Sequence, residues 1–271
     1  MPSTFLYGRN VHANGIRQHV LRYGGRGPAL LLIPGITSPA VTWGFVAERL
    51  GRHFDTWVLD VRGRGLSESG AHLDYGLDAC ADDVLALISA LQLRDVTVVG
   101  HSMGGRHGIR AVKRGGADSG IARLIMVDPP VSGPGRREYP SAWPWYQDSI
   151  VECEKGIDGE RMRHYCATWS DEQLRLRAEW LHTCDLRAVK TSFDGFHQDD
   201  IHADLPALTH IKTGLMVAGR GGVIQPEDEQ ELRGLLPDLR IARTPDAGHM
   251  IPWDDLEDFF RALGELLDQP L

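Results

Sequence analysis

The chain has 271 residues, 42% of them hydrophobic and 24% charged, enough to bury a full core in one large domain or a domain with an insertion. A formal net charge of −8 argues against nucleic acid as a partner. No window of about eighteen apolar residues suits a membrane span, residues 1–14 lack the basic start and apolar core of an export signal, and Cys80, Cys153, Cys166 and Cys184 lack CxxC spacing, so the cysteines read as reduced packing thiols and the location as cytoplasmic.

Two β-type runs, Thr4 to Val11 and Ile16 to Tyr23, flank Asn14-Gly15, a hairpin signal. Ala29 to Ile33 is wholly apolar, as a strand buried on both faces requires. Val41 to Leu50 has helical periodicity, Phe54 to Leu59 reads as a strand, and Leu77 to Leu91 places Val84, Leu87, Ile88 and Leu91 on one helical stripe. Val96 to Val99 is a strand, Arg106 to Arg114 lies in a helix that Gly115-Gly116 stops, and Ile121 to Val127 is the next strand. From Val131 to about Ala203 the alternation breaks. Helical patterns take over there at Trp143 to Glu154, Gly159 to Thr168, Asp171 to Leu181 and Asp185 to Phe193. It resumes with a strand at Thr213 to Ala218, a helix at Gln225 to Leu236, a strand at Leu239 to Arg243 and a last helix at Pro252 to Leu267. Alternating strands and helices predict an α/β fold, a mainly parallel sheet with helices on both faces. The expected division is a core of residues 1–130 and 204–271 and a helical cap of 131–203.

Ligands in such sheets bind at the carboxyl ends of the strands. At one of those ends stands Gly100-His101-Ser102-Met103-Gly104, a Gly-x-Ser-x-Gly sequence between an apolar strand and a helix. That turn pushes a serine hydroxyl into the open. A serine needs a base to take its proton, and His249, just past the last strand, is the best placed. His101 adjoins the serine on a sharp turn, which suits a pocket wall. The amide of Met103, at the start of the following helix, suits one half of an oxyanion hole.

Four ordered motifs carry a resemblance. They are Ile33-Pro34-Gly35-Ile36-Thr37, Asp60-x-Arg62-Gly63-x-Gly65-x-Ser67, Gly100-His101-Ser102-Met103-Gly104-Gly105, and Gly248-His249. In that order they resemble the α/β-hydrolase fold over nearly the whole chain. The resemblance implies an eight-stranded sheet, a Ser-His-acid triad, and a second oxyanion donor from the Ile36 amide, although Pro34 replaces the histidine usual in that loop. The family's acid commonly follows the strand before the last, and there Gly222 stands instead. Some members place it one strand earlier, which here is Asp128. Glu227 and Asp228 read as helix-start carboxylates, and Asp246 lies too near His249 along the chain to reach its ring. The triad expected is Ser102, His249 and Asp128.

The glycines of Asp60 to Ser67 are not followed by Gly-Lys-Ser/Thr, so they read as a structural turn rather than a phosphate loop. No cluster has zinc spacing, and neither metal nor cofactor is expected. The cap carries Trp143, Trp145, Tyr146, Tyr165, Trp169 and Trp180, suited to the walls of a small pocket. Among its cations Arg136, Arg137, Arg161, Arg163, Arg175, Arg177, Arg187 and Lys190, one or two suit a substrate carboxylate, and the others suit solvent or neighbouring glutamates. Within the family the run of motifs is most similar to the deformylases of bacterial nicotinate breakdown, which implies hydrolysis of a small formyl amide. The alternatives are a small-ester carboxylesterase or lactonase, and a non-hydrolytic enzyme or receptor on the same scaffold. A small-molecule substrate is the expected partner. Oligomeric state is not legible.

Overall fold

In the computed structural model, which describes residues 2–271, the eight expected strands pair into one sheet. They are β1 (Phe5–Ala13), β2 (Ile16–Tyr23), β3 (Ala29–Ile33), β4 (Asp55–Asp60), β5 (Val96–His101), β6 (Ile121–Val127), β7 (Lys212–Ala218) and β8 (Arg240–Thr244), in the spatial order β1-β2-β4-β3-β5-β6-β7-β8. The β1–β2 hairpin is antiparallel, with positive φ at Asn14 and Gly15 in its turn, and β2 joins β4 antiparallel. Every pairing from β4 through β3, β5, β6 and β7 to β8 is parallel. Side chains of a strand alternate between faces, and Leu30, Leu31, Leu32 and Ile33 are all fully buried. Both faces at β3 are therefore covered, as its continuous apolar run requires.

The helices are α1 (Gly44–Leu50), α2 (Leu77–Ala90), α3 (Met103–Gly115), α4 (Trp143–Glu154), α5 (Gly159–Met162), α6 (Asp171–Trp180), α7 (Leu186–Gln198), α8 (Pro226–Leu235), α9 (Ile251–Asp254) and α10 (Leu256–Leu267). Helix α3 packs on α2 and on β5 and β6. Arg49 of α1 pairs with Glu257 of α10 and lies over the Phe260 ring. No helix of the described residues is long and apolar enough to cross a membrane.

The main differences from the sequence expectation lie in the helices. The last helix breaks at Asp255, whose backbone is extended and whose carboxylate accepts the Asp258 N–H at 2.9 Å, capping α10. Helix α5 ends at Met162, and the expected run to Thr168 is turns. Helix α7 runs on to Gln198, through Gly195. A 3-10 helix at His202–His210, containing Pro206, was not anticipated.

The helical segment between β6 and β7 is tied to the sheet by Arg106 of α3. Its guanidinium donates to the carbonyls of Pro130 at 2.9 Å and Ser132 at 3.1 Å, where the segment leaves β6. It also donates to Gly195 at 3.0 Å and Asp199 at 2.8 Å, at the end of α7. Both ends of the segment thus hang on one buried cation. Burial lowers the Arg106 pKa to about 10, still above neutrality.

The next residue, His107, is also buried, and its Nδ1 has no partner. Burial, with Arg64 and Arg106 nearby, lowers its pKa to about 3. The folded ring therefore stays neutral at a pH where the unfolded ring, titrating near 6.5, takes up a proton. Stability is unaffected above pH 6.5, falls as pH drops from there towards 3, and levels off below. For this one ring the loss at pH 5 relative to pH 8 is about 2 kcal/mol. Urea unfolding of His107→Gln should show a pH dependence flatter than wild type by about that amount.

Candidate active site

Parallel register places the site residues side by side. His101, the last residue of β5, pairs with Val127 of β6, and Val127 pairs with Met216 of β7. One step on, the Ser102 N–H donates to the Val127 carbonyl and the Asp128 N–H to the Met216 carbonyl, each at 2.9 Å. Both residues leave their strands with positive φ, 53° at Ser102 and 44° at Asp128. Non-glycine residues rarely adopt that backbone, and it clusters at functional sites. The glycines of the turn are set by contact. A Cβ on Gly100 would lie 2.4 Å from the Gly104 carbonyl oxygen, and one on Gly104 would lie 2.0 Å from that of Ile33.

The structure brings Ser102, His249 and Asp128 into one hydrogen-bonded chain. The Ser102 hydroxyl lies 3.0 Å from His249 Nε2, and His249 Nδ1 lies 2.7 Å from Asp128 Oδ2. Asp128 is acceptor-only, so Nδ1 carries the proton and Nε2 is free to accept from Ser102. Asp128 is fully buried, and its Oδ2 also accepts the Val223 N–H at 3.0 Å. The loop bearing His249 is held twice. Asp254 accepts the Gly248 N–H at 2.8 Å, and the His101 ring meets the His249 carbonyl at 3.0 Å. A carbonyl only accepts, so His101 donates through Nε2, and burial lowers its pKa to about 3, keeping it neutral. It also lines the cavity.

The rival acids lie elsewhere. Asp228 accepts the Gln225 N–H as a cap of α8 and pairs with Arg137, while Glu227 and Asp246 are exposed. Gly222 is buried beside the acid: a Cβ there would lie 2.9 Å from Asp128 Oδ1 and 2.7 Å from the Ala218 Cβ. The glycine does more than lack a carboxylate, because it leaves the space that Asp128 fills.

The loop after β3 passes against the serine. A Cβ on Gly35 would lie 2.9 Å from His101 Nδ1 and 3.5 Å from the Ser102 Cβ. Ile36 follows, and Met103 is the first residue of α3, where amides have no acceptor within the helix. Two buried arginines hold this loop by successive carbonyls. Arg64 donates to the Ile36 carbonyl at 3.2 Å and lies against the Met103 sulfur, and Arg177 donates to the Thr37 carbonyl at 3.3 Å. The turn from Asp60 is structural, with the Asp60 carboxylate accepting from Ala40 at 2.6 Å and Leu66 at 3.1 Å.

A model of the alpha/beta hydrolase family matches residues 30–262. The chain belongs to that family. Among other family members, the N-formylmaleamate deformylase of Pseudomonas putida is 63% identical over 269 residues, 99% of each chain. A crystal structure of the N-formylmaleamic acid deformylase of Pseudomonas putida S16, solved as a serine-to-alanine variant, superposes with a TM-score of 0.91 at 58% identity, covering 95% of this chain and 100% of that one. An esterase from Exiguobacterium antarcticum shares the fold with a TM-score of 0.80 at 19% identity, over 97% of this chain and 100% of its own.

As this hydrolase fold requires, the serine opens into a cavity, here about 470 Å³, roofed by the segment between β6 and β7. Ser102, His249, Ile36 and Val223 line its floor, and Trp145, Tyr165 and Trp169 line the opposite wall. Seven of the eight cations singled out from the sequence are spent in ion pairs: Arg136 with Glu231, Arg137 with Asp228, Arg161 with Glu152, Arg163 with Asp171, Arg175 with Glu172, Arg187 with Asp185 and Lys190 with Asp194. Arg177 is the eighth and lines the cavity.

Sequence reasoning passed over Tyr139. It lines the cavity, and its hydroxyl lies 3.1 Å from that of Tyr146. Burial, with Tyr146 adding, pushes the Tyr139 phenol well above its ordinary pKa, against a smaller opposing effect of the Ser102 hydroxyl. The phenol therefore stays protonated in the cavity wall. No local pattern marks it, since Gly135-Arg136-Arg137-Glu138-Tyr139 reads as an ordinary polar loop.

Gly222→Ala should force Asp128 to move and lower kcat by about tenfold or more while KM changes little. Steady-state kinetics alongside an unfolding midpoint checks this, because a purely structural effect would lower stability without lowering kcat.

Proposed function

We propose that the chain hydrolyses the formyl amide of N-formylmaleamate to maleamate and formate, a step of nicotinate breakdown carried out in the cytoplasm. The observation that carries the reading is the 63% identity over nearly the full length to the Pseudomonas putida deformylase, joined to the serine–histidine–aspartate chain facing a cavity. The β-sheet core, residues 1–130 and 204–271, supplies the chemistry, and the cap, residues 131–203, encloses the substrate.

Ser102 is the nucleophile. As its oxygen bonds to the formyl carbon, its proton passes to His249 Nε2, and Asp128 stabilises the resulting imidazolium through Nδ1–H. The carbonyl oxygen becomes an oxyanion facing the amides of Ile36 and Met103, which need no reorientation because Arg64 and the start of α3 already hold them. The C–N bond then breaks, and His249 returns the proton to the departing nitrogen. That nitrogen is conjugated with a second carbonyl, so it leaves more readily than an amine. Maleamate departs and Ser102 is left as its formate ester. Water, deprotonated by His249, attacks the ester carbon, and formate leaves as the serine regains its proton.

The same triad cleaves small esters, so substrate identity rests on the cavity. Formate release should be measured from N-formylmaleamate in parallel with cleavage of a nitrophenyl ester. The expected result is formate release abolished by Ser102→Ala to within about 10⁻⁴ of wild type. Brisk ester turnover with no formate would replace this reading with a carboxylesterase.

A further inference from the structure

Arg177, on α6, is 4% exposed and sits in the cavity wall. A buried guanidinium normally faces a carboxylate, because an unpaired buried charge is costly. Among the described residues Arg177 has none: it forms no ion pair, and it is the only lysine or arginine lining the cavity. Arg175, two residues away on the same helix, is exposed and pairs with both Glu172 and Glu179. Two of the five N–H groups of Arg177 are used, both weakly, on Thr37: one on its carbonyl at 3.3 Å and one on its Oγ1 at 3.2 Å. Its Nε has no acceptor. Trp145 and Trp169 each place a ring centroid 5.5 Å from the guanidinium carbon, holding the cation in place without neutralising it. The one carboxylate in the cavity wall, Asp254, is exposed and occupied by the Gly248 N–H.

We infer that Arg177 is the carboxylate subsite, binding the free acid end of the substrate so that the enzyme selects anionic formyl amides over neutral ones. The inference rests on the hydrolase reading above and adds to it the residue that sets specificity. Its placement follows from the Thr37 contacts. Thr37 adjoins Ile36, so a carboxylate on Arg177 is anchored beside the oxyanion loop, leaving the substrate's other end to reach Ser102. Arg177 touches no reacting atom, so it contributes binding and orientation rather than proton transfer. With Arg177 itself buried between Trp145 and Trp169, the charge-assisted bonds are strong.

The test compares N-formylmaleamate with its neutral methyl ester by formate release, in wild type, Arg177→Met and Arg177→Lys. Wild type should prefer the acid. Arg177→Met should lower kcat/KM for the acid by about thirtyfold or more, chiefly through KM, and by at least about tenfold more than for the methyl ester, whose smaller loss reports the Thr37 contacts alone. Arg177→Lys, which keeps the charge without the planar fork, should fall between. Equal losses on both compounds would overturn the inference and leave Arg177 as a prop for Thr37; so would a wild type indifferent to the charge, a result independent of whether the variants fold. If wild type releases formate from neither compound, the deformylase reading fails by itself. Maleate quenching of tryptophan fluorescence in wild type then still tests the subsite, and no saturable quenching would overturn it.

Discussion

The hydrogen bond between His249 Nδ1 and Asp128 Oδ2 is the contact on which the site depends, because it decides which ring nitrogen faces Ser102. Little of it is local. The two residues are separated by 121 positions and meet only because β6, β7 and β8 run parallel and end at the same edge of the sheet. The positive φ of Asp128 turns its carboxylate off the end of β6, and the absence of a side chain at Gly222 leaves room for it. The Val223 amide then holds the same oxygen from the other side. Strain at Asp128, a glycine at 222 and a tethered His249 loop are parts of one arrangement.

Charges buried without carboxylates organise the rest. Arg106 draws both ends of the helical segment onto α3 by four carbonyls, and Arg64 holds the Ile36 carbonyl from beneath. Arg106 is satisfied by backbone oxygens, Arg64 by backbone oxygens and the Ser192 hydroxyl, and each fixes a piece of chain that has no ladder of its own. Arg177 differs in keeping donors to spare and in facing the cavity. The helical segment is therefore fastened by Arg106 at its two ends and by Arg64 at Ala188 and Ser192 of α7 and, under the inference drawn from Arg177, made selective by a third cation.

The strands were legible because burial on both faces leaves an unbroken apolar run. Ala29–Ile33 and Ile121–Val127 begin and end where their sequence says they do. Helix ends were less legible where a cap competes with apolar periodicity. Asp255 divides what its neighbours Trp253, Leu256 and Phe259 suggest is one helix. In the site, Ser102 and His249 each carry a local signal, a glycine-flanked turn and a loop after the last strand. Asp128 does not, and it emerges only once Gly222 has been seen to lack the acid. Tyr139 had no signal of its own. Arg177 had a faint one: it falls on the helical stripe of Leu174, Ala178 and Leu181, whereas Arg175 falls with Glu172 and Glu179, but nothing local says that the stripe faces a cavity.

The account stands or falls on the acid from β6. The most direct measurement is the single-turnover rate of formate release by Asp128→Asn, which keeps the shape of the side chain and removes its charge. An amide in place of the carboxylate favours the tautomer with the proton on Nε2, facing Ser102. The account predicts a fall of about 10⁴-fold, with the folded state retained. A rate within about tenfold of wild type would contradict it, and would mean that another carboxylate serves His249.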